Sequence, residues 1–255
     1  DGALLALWER ACEISVSLDG GRTWEEKPIA IARNVAQKAA WATGLSVDRK
    51  DPRHLVVSLR SMASASARED RDGGPYESTD GGATWTLLDA GLKDARGAYR
   101  DGWNQGAGIA LLEGALLYVV DGTGVFRMER PAPEGKTPAW TEVLLSGVPA
   151  APVLAALAVG RTPTDGDEVM LQVYNVVTGT RVLLRSVDAG ATFGSLPDPG
   201  TRLESLTPDP TSPGRYLTGD PVGDRGVLAY GARVEKQAPP PAPVEPVAPP
   251  VVPPP

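Results

Sequence analysis

The chain repeats one eight-residue stretch three times, as Ser17-Leu-Asp-Gly-Gly-Arg-Thr-Trp24, Ser78-Thr-Asp-Gly-Gly-Ala-Thr-Trp85 and Ser186-Val-Asp-Ala-Gly-Ala-Thr-Phe193. The copies align without gaps and share the pattern S-x-D-x-G-x-T-[W/F], here called the box. Asp accepts backbone N–H groups in tight turns, and Gly supplies positive φ. The pattern therefore predicts a hairpin turn, whose Trp we expect to be buried between repeats with its N–H bonded. The shared positions are Ser17, Asp19, Gly21, Thr23, Trp24, Ser78, Asp80, Gly82, Thr84, Trp85, Ser186, Asp188, Gly190, Thr192 and Phe193.

One hypothesis is that the three box carboxylates are catalytic or metal-binding groups. One catalytic site would not need three copies, and no copy has the alternating acidic ligands of a calcium loop. We therefore interpret the boxes as structural hairpin locks. No metal site and no cofactor is expected.

A second element lies between the boxes: two apolar runs joined by turn residues, which is typical of a hairpin. These hairpins start at residues 45, 109, 153 and 203, about 53 residues apart on average, close to the ~40–50 residues of known propeller blades. Each unit thus contains four strands and must bury its faces against its neighbours. The sequence predicts an all-β propeller of four-stranded antiparallel blades over residues 1–237.

The number of blades is about five. A fourth, degenerate box position runs from Gly124–Arg127 to Trp140–Val143. The first and last units each provide three of the four strands, so either a five-bladed ring or a fragment of a six- or seven-bladed ring fits. The first unit is expected at Ala3–Trp8, Cys12–Leu18 and Trp24–Pro28, and the last at Leu203–Thr207, Arg215–Thr218 and Gly226–Tyr230.

Composition narrows the class of protein. The 255 residues carry 25 Lys+Arg and 32 Asp+Glu, a net charge of −7, which argues against a nucleic-acid-binding surface. No apolar run approaches the ~20 residues of a membrane-spanning helix. A single Cys excludes an internal disulfide. Residues 238–255 are so rich in Pro that they should be extended, either as a linker or as a strap on a partner.

The box resembles the Asp-box, or BNR repeat, of sialidase-like β-propellers, and the run Val47–Leu59 before the second box resembles the rest of such a blade. The resemblance covers roughly residues 3–237. Related blades occur in sialidases, xyloglucan-degrading hydrolases, sorting receptors and photosystem-assembly factors. The resemblance implies that the box hairpins lie away from the functional site, so that Asp19, Asp80 and Asp188 do not perform chemistry.

In propellers, ligands usually meet the face built by the four-to-one and two-to-three loops. Two of those loops, 61–75 and 91–107, are unusually long. The second combines aromatic, guanidinium, amide and carboxylate groups, as protein and sugar contact surfaces do. A solvated loop with one anchoring Trp is the alternative. The candidate binding residues are Arg96, Tyr99, Arg100, Asp101, Trp103 and Asn104.

Catalysis finds less support. The Phe/Tyr-Arg-Ile-Pro motif of sialidases is absent, and nothing in the spacing fixes an arginine triad among Arg33, Arg96, Arg100 and Arg225. Other glycoside hydrolases need only two carboxylates, for which the loop candidates are Asp70, Asp72, Asp101, Asp121 and Asp224. His54, the only histidine, is expected to have a capping or surface role.

The sequence therefore favours a non-catalytic scaffold or recognition domain that presents its loop face to a protein or a glycan. A glycoside hydrolase and an accessory subunit of a membrane complex are the alternatives. The start at Asp1 suggests either a removed targeting segment or a fragment. With the first alternative, the resemblance implies an extracellular, cell-surface or periplasmic location.

Overall fold

A computed structural model describes residues 4–8, 13–17, 19–29, 40–61, 73–92, 106–148, 152–197, 203, 206–209, 211–219 and 227–231. Within these ranges, eighteen β-strands form five antiparallel sheets, each built from consecutive strands. No helical segment in these ranges is long and apolar enough to cross a bilayer. The predicted all-β propeller is confirmed.

Blade 1 contains β1 (Leu4–Trp8), β2 (Glu13–Ser17) and β3 (Glu25–Pro28). Blade 2 contains β4 (Ala40–Val47), β5 (Leu55–Ser61), β6 (Gly74–Ser78) and β7 (Thr86–Leu87). Blade 3 contains β8 (Gly106–Leu112), β9 (Ala115–Val120), β10 (Gly124–Glu129) and β11 (Thr141–Val143). Blade 4 contains β12 (Val153–Arg161), β13 (Asp167–Tyr174), β14 (Arg181–Ser186) and β15 (Gly194–Leu196). Blade 5 contains β16 (Thr207–Pro208), β17 (Arg215–Gly219) and β18 (Val227–Gly231).

The second strand of each complete blade is buried on both faces. In β5, Leu55 and Val57 pack with Ile14 of blade 1, whereas Val56 packs with Leu116 of blade 3. Period-two alternation sends successive side chains to opposite faces, so each blade fills two interfaces. The core is therefore a series of apolar layers between blades, which is why no blade buries its own faces alone.

The innermost strands run beside a narrow central space and carry small residues. A Cβ on Gly44 would lie 3.1 Å from the backbone nitrogen of Ile109, in the neighbouring inner strand. The first strands of blades 2, 3 and 4 each shift register once against the second strand of the same blade. The shifts lie between Ala42 and Gly44, between Gly106 and Gly108, and between Leu154 and Ala156. Small side chains at the axis are what the sequence predicts, because the strands converge there.

Trp24 and Trp85 only partly follow prediction. Each indole Nε1 donates to a carbonyl within its own box, Gly21 at 3.1 Å and Gly82 at 3.1 Å. The ring of Trp85 packs against the layer between blades 1 and 2, but Trp24 is 45% exposed. The expectation of an interblade position is wrong for Trp24, which immediately precedes the outermost strand of blade 1. Cys12 and the tail 238–255 lie outside the described residues.

Candidate functional site

The three boxes share one hydrogen-bond pattern. The serine hydroxyl donates to the Asp Oδ1 (2.8 Å for Ser78 and Asp80), and the amide of the second box glycine donates to that hydroxyl (2.8 Å for Gly82). The Thr84 amide and hydroxyl then donate to the two oxygens of Asp80. The same bonds recur around Asp19 and Asp188.

These bonds stabilise the ionised carboxylate. Hydrogen bonds from the Thr23 amide and hydroxyl lower the pKa of Asp19 to about 2. Bonds from the Thr84 hydroxyl and amide lower the pKa of Asp80 to about 2. Since the oxygens of each carboxylate accept hydrogen bonds from its own turn, the geometry fits a structural role in stabilising the hairpin. Within the described residues no His, Cys, Asp or Glu cluster is suited to a metal ion.

The opposite end of the blades, here called the loop face, brings together three non-equivalent side chains from equivalent positions. Arg60, Asp121 and Tyr174 are each the first half-buried residue after the buried run of a second strand, in blades 2, 3 and 4. The three side chains line one cavity.

This loop-face cavity has a volume of about 500 Å³, within the ~300–1,000 Å³ typical of ligand sites. Asp121 is the one carboxylate among the described residues that line it. The apolar walls come from the first strand of blade 1 and the inner strands of blades 2 to 4. Its lining residues are Leu7, Ala42, Thr43, Arg60, Ala107, Asp121, Val153, Leu154 and Tyr174.

Arg60 and Asp121 form an ion pair across the boundary between blades 2 and 3. The Nη2 of Arg60 donates to Oδ2 of Asp121, and the Leu154 amide donates to Oδ1 at 2.9 Å. Both oxygens of Asp121 are thus engaged. Arg60 has five N–H donors, and Asp121 is its hydrogen-bond partner among the described residues; its Nε is buried without one. Among the described residues, Arg60 therefore has N–H donors without an acceptor, whereas both oxygens of Asp121 already accept hydrogen bonds.

Below this ion pair lies a hydroxyl layer that closes the cavity floor. The Thr43 hydroxyl lies 3.0 Å from the Ser58 hydroxyl and donates to the Gly106 carbonyl at 2.9 Å. A Cβ on Gly106 would fall 2.7 Å from the Tyr118 hydroxyl. Gly106 thus lets the inner strand of blade 3 approach these hydroxyls. Thr43, Ala107 and Leu154 also line a second cavity of about 420 Å³.

The turn between β13 and β14, residues 175–180, rises from the same face directly after Tyr174. The Asn175 side chain accepts the amides of Val177 at 2.8 Å and Thr178 at 2.9 Å. Asn175 and Thr180 also pair through the backbone at 2.9 Å. These bonds hold Val176 and Val177 outwards, 67% and 93% exposed. We call this turn the valine tip.

The candidate binding residues of the long loop, Arg96, Tyr99, Arg100, Asp101, Trp103 and Asn104, lie outside the described residues. The same holds for four candidate carboxylates, Asp70, Asp72, Asp101 and Asp224. The ends of the two long loops are described, and Ser61 and Gly106 both end at the loop face. Of the candidates named from sequence, Asp121 is the one that the structure locates at the cavity.

The end opposite the loop face carries paired charges. The Nε2 of His54 lies 2.9 Å from Glu77 Oε1, its Nδ1 lies 3.3 Å from Asp48, and Arg130 binds the other Glu77 oxygen at 3.0 Å. His54 therefore bridges two carboxylates instead of facing solvent. Nearby, Arg49 pairs with Asp167 at 3.5 Å and Lys50 with Glu113 at 2.7 Å. The pairs Glu77–Arg130, Arg49–Asp167 and Lys50–Glu113 each join two different blades.

Comparison with known proteins agrees with this geometry. A model of the BNR/Asp-box repeat family matches residues 76–87, the second box and its flanks. The fold is similar to a GH74 enzyme from Niastella koreensis, with 18% identity over 91% of this chain and 30% of that one, and a TM-score of 0.52. The chain therefore has the β-propeller fold and carries an Asp-box repeat.

Two further structures share the propeller fold. YCF48 from Cyanidioschyzon merolae is 15% identical over 86% of this chain and 63% of its own, and the Malassezia sympodialis allergen Mala s 1 is 12% identical over 90% and 75%, both with a TM-score of 0.52. No curated protein sequence matches this one. The propeller spans less than a third of the GH74 chain. At such identities the likeness carries the fold alone.

Proposed function

We propose that this propeller is a non-catalytic recognition domain that binds a protein or a glycan at its loop face. The observation that supports it is the loop-face cavity, where both oxygens of Asp121 are engaged while the described residues accept from Arg60 only at its Nη2. Such a site offers shape, apolar walls and hydrogen-bond donors, which are the properties of a binding pocket.

Acid–base hydrolysis is the main competitor. Glycosidases use two carboxylates about 5–9.5 Å apart. Asp121 already serves as a clamp between blades, since it joins Arg60 of blade 2 to the Leu154 amide of blade 4. An acid and a base would have to come from Asp70, Asp72, Asp101 or Asp224.

Turnover and binding separate the two functions. Xyloglucan oligosaccharides and sialyllactose are incubated with the full chain, and products are measured beside the variants D70N, D72N, D101N and D224N. We expect no hydrolysis by any of these proteins. Hydrolysis that one Asn variant abolishes while its glycan binding persists would overturn the proposal in favour of a hydrolase.

We also propose that the propeller acts outside the cytoplasm and works within a larger assembly. The net charge of −7 favours a partner whose docking face is basic overall. Size exclusion of extract from the source cells, followed with an antibody, tests the assembly. Elution at the 26.7 kDa of the chain alone would contradict it.

A further inference from the structure

The valine tip has no packing role that explains it. Val177 is 93% exposed and Val176 67% exposed, whereas the equivalent turn of blade 3, Asp121–Gly124, presents no large apolar side chain. Exposed single hydrophobic residues are common, but two adjacent ones beside a cavity form a candidate contact surface.

The tip is also rigid by construction. Both acceptor positions around the turn are filled: Asn175 Oδ1 takes two amides, and the Asn175 carbonyl takes the Gly179 amide at 2.9 Å. The hydroxyls of Thr178 and Thr180 are joined at 2.9 Å. Valine has few rotamers to lose. Binding through such a tip therefore costs little ordering entropy.

The tip and the cavity form one surface. Tyr174 lines the cavity, and Val176 follows two residues later, within ~7 Å of extended backbone. Arg60, on the same cavity wall, is about one third exposed, and Asp121 is the one hydrogen-bond acceptor that the described residues offer it. A guanidinium with unused N–H groups binds carboxylates in preference to neutral groups.

We infer that this combined surface binds a segment of a partner protein in which an acidic side chain lies beside aliphatic or aromatic ones. The acidic side chain pairs with Arg60 inside the cavity, and the apolar side chains cover Val176 and Val177. This inference rests on the proposed recognition function and commits it to a protein. It places one carboxylate within a docking face that is otherwise basic.

Two other ligand classes fit less well. Two valines offer a glycan no hydrogen bond and no flat ring, and Tyr174 is the one aromatic residue among the described residues of the cavity wall. A lipid surface would favour several interfacial Trp, Lys or Arg residues beside the tip, whereas Asn175, Thr178, Gly179 and Thr180 surround the valines and Arg181 is the one cation next to them in sequence. A protein segment satisfies both the donors and the apolar tip.

The test selects peptides from a phage-displayed random library on the immobilised full chain and measures their dissociation constants by calorimetry. The variants are V176S/V177S, R60Q and R60K. V187S is the matched control, since Val187 is 56% exposed in a box at the opposite end. Thermal unfolding confirms that each variant is folded. Sialic acid, glucuronate and anionic phosphatidylserine vesicles are titrated in parallel.

We expect selected peptides to combine Asp or Glu with apolar residues. V176S/V177S and R60Q should each weaken binding about tenfold or more, R60K less, and V187S by less than twofold. The inference is overturned if the selected peptides bind V176S/V177S as tightly as the wild type, or if the library yields no binding peptide. Binding of a glycan that R60Q weakens would in that case still support the recognition function. Binding of vesicles through the valines also overturns it. Ligands insensitive to both R60Q and V176S/V177S overturn the proposed function as well.

Discussion

Glu77 of blade 2 and Arg130 of blade 3 are joined across the blade boundary, with Oε2 and Nη2 3.0 Å apart, while the other Glu77 oxygen meets the His54 ring at 2.9 Å. One carboxylate thus joins the residue before β5 of its own blade to the residue after β10 of the next blade. The exposed fraction of the Glu77 side chain is 15%, so water screens this pair less than a surface pair.

Breaking this clamp should destabilise the propeller. In a double-mutant cycle of E77A and R130A, measured by urea denaturation, we expect a coupling energy of about 1–2 kcal/mol. The matched control is the exposed pair Lys50 and Glu113, 2.7 Å apart but 79% and 62% exposed; exposed pairs contribute little. Equal coupling in the two cycles would show that Glu77 and Arg130 are not a clamp.

The boxes predict a loss of stability in acid. The pKa of Asp19 and that of Asp80 are lowered from 3.8 to about 2. A lowered pKa stabilises the folded state above the unfolded value, and this contribution is lost as pH falls from ~4 towards 2. The free energy of unfolding, measured in urea at pH 6, 4 and 3, should therefore drop.

The variant D80N should be less stable at pH 6 and should show a shallower drop, because it has no carboxylate to protonate. E134Q, in the exposed insertion between β10 and β11, is the control and should retain the wild-type slope. A wild-type slope in D80N as well would mean that the box carboxylates do not cause the acid sensitivity.

The boxes and blades were predictable from sequence because their determinants are local. The order S-x-D-x-G-x-T places donor, acceptor and positive φ within one turn, and the strands follow from apolar runs beside it. The site was not predictable in this way. Arg60 and Asp121 are 61 residues apart, and their pairing depends on how two blades stack. A signal existed: each is the first charged residue after the start of a second strand.

Two other features needed the structure for physical reasons. Whether the Trp of a box is buried depends on a neighbouring blade, so Trp24 in blade 1 and Trp85 in blade 2 differ although their boxes match. His54 lacked any local sign of a bridging role, because its partner Glu77 is separated from it by 23 residues. Contacts between blades, unlike turns, depend on residues that are far apart in the sequence.

Adjacent glycines in the second box separate backbone strain from packing. Gly81 and Gly82 have φ of 75° and 87°, so Ala strains the backbone at either position by about 1 kcal/mol. A Cβ at Gly82 would also lie 2.8 Å from Ile14 Cδ1 of blade 1, whereas one at Gly81 meets nothing within 4 Å. Urea denaturation should show G82A to be less stable than G81A by about 1–2 kcal/mol.

The double variant G82A/I14V tests the cause, since Val lacks the Cδ1 that the added methyl would meet. We expect the cost of G82A to be smaller in the I14V background than in the wild type. Equal costs of G81A and G82A in both backgrounds would indicate that the second box glycine serves the turn alone and does not position blade 2 against blade 1.

Ionisation of the buried residues Tyr118 and Tyr216 should destabilise the folded state at high pH. Burial raises the pKa of both phenols, and for Tyr216 the neighbouring Glu168 carboxylate, 3.1 Å from its hydroxyl, raises the pKa further. A raised pKa stabilises the folded state below the unfolded value of ~10, and that contribution is lost as pH rises above it. Absorbance at 295 nm should therefore show fewer phenolates at pH 11 in the folded protein than the six that ionise in urea.

The variant Y216F should reduce this difference by one tyrosine, because it removes a phenol that ionises only on unfolding. Ionisation of all six tyrosines without loss of the far-ultraviolet β signal would contradict this account of the buried hydroxyls.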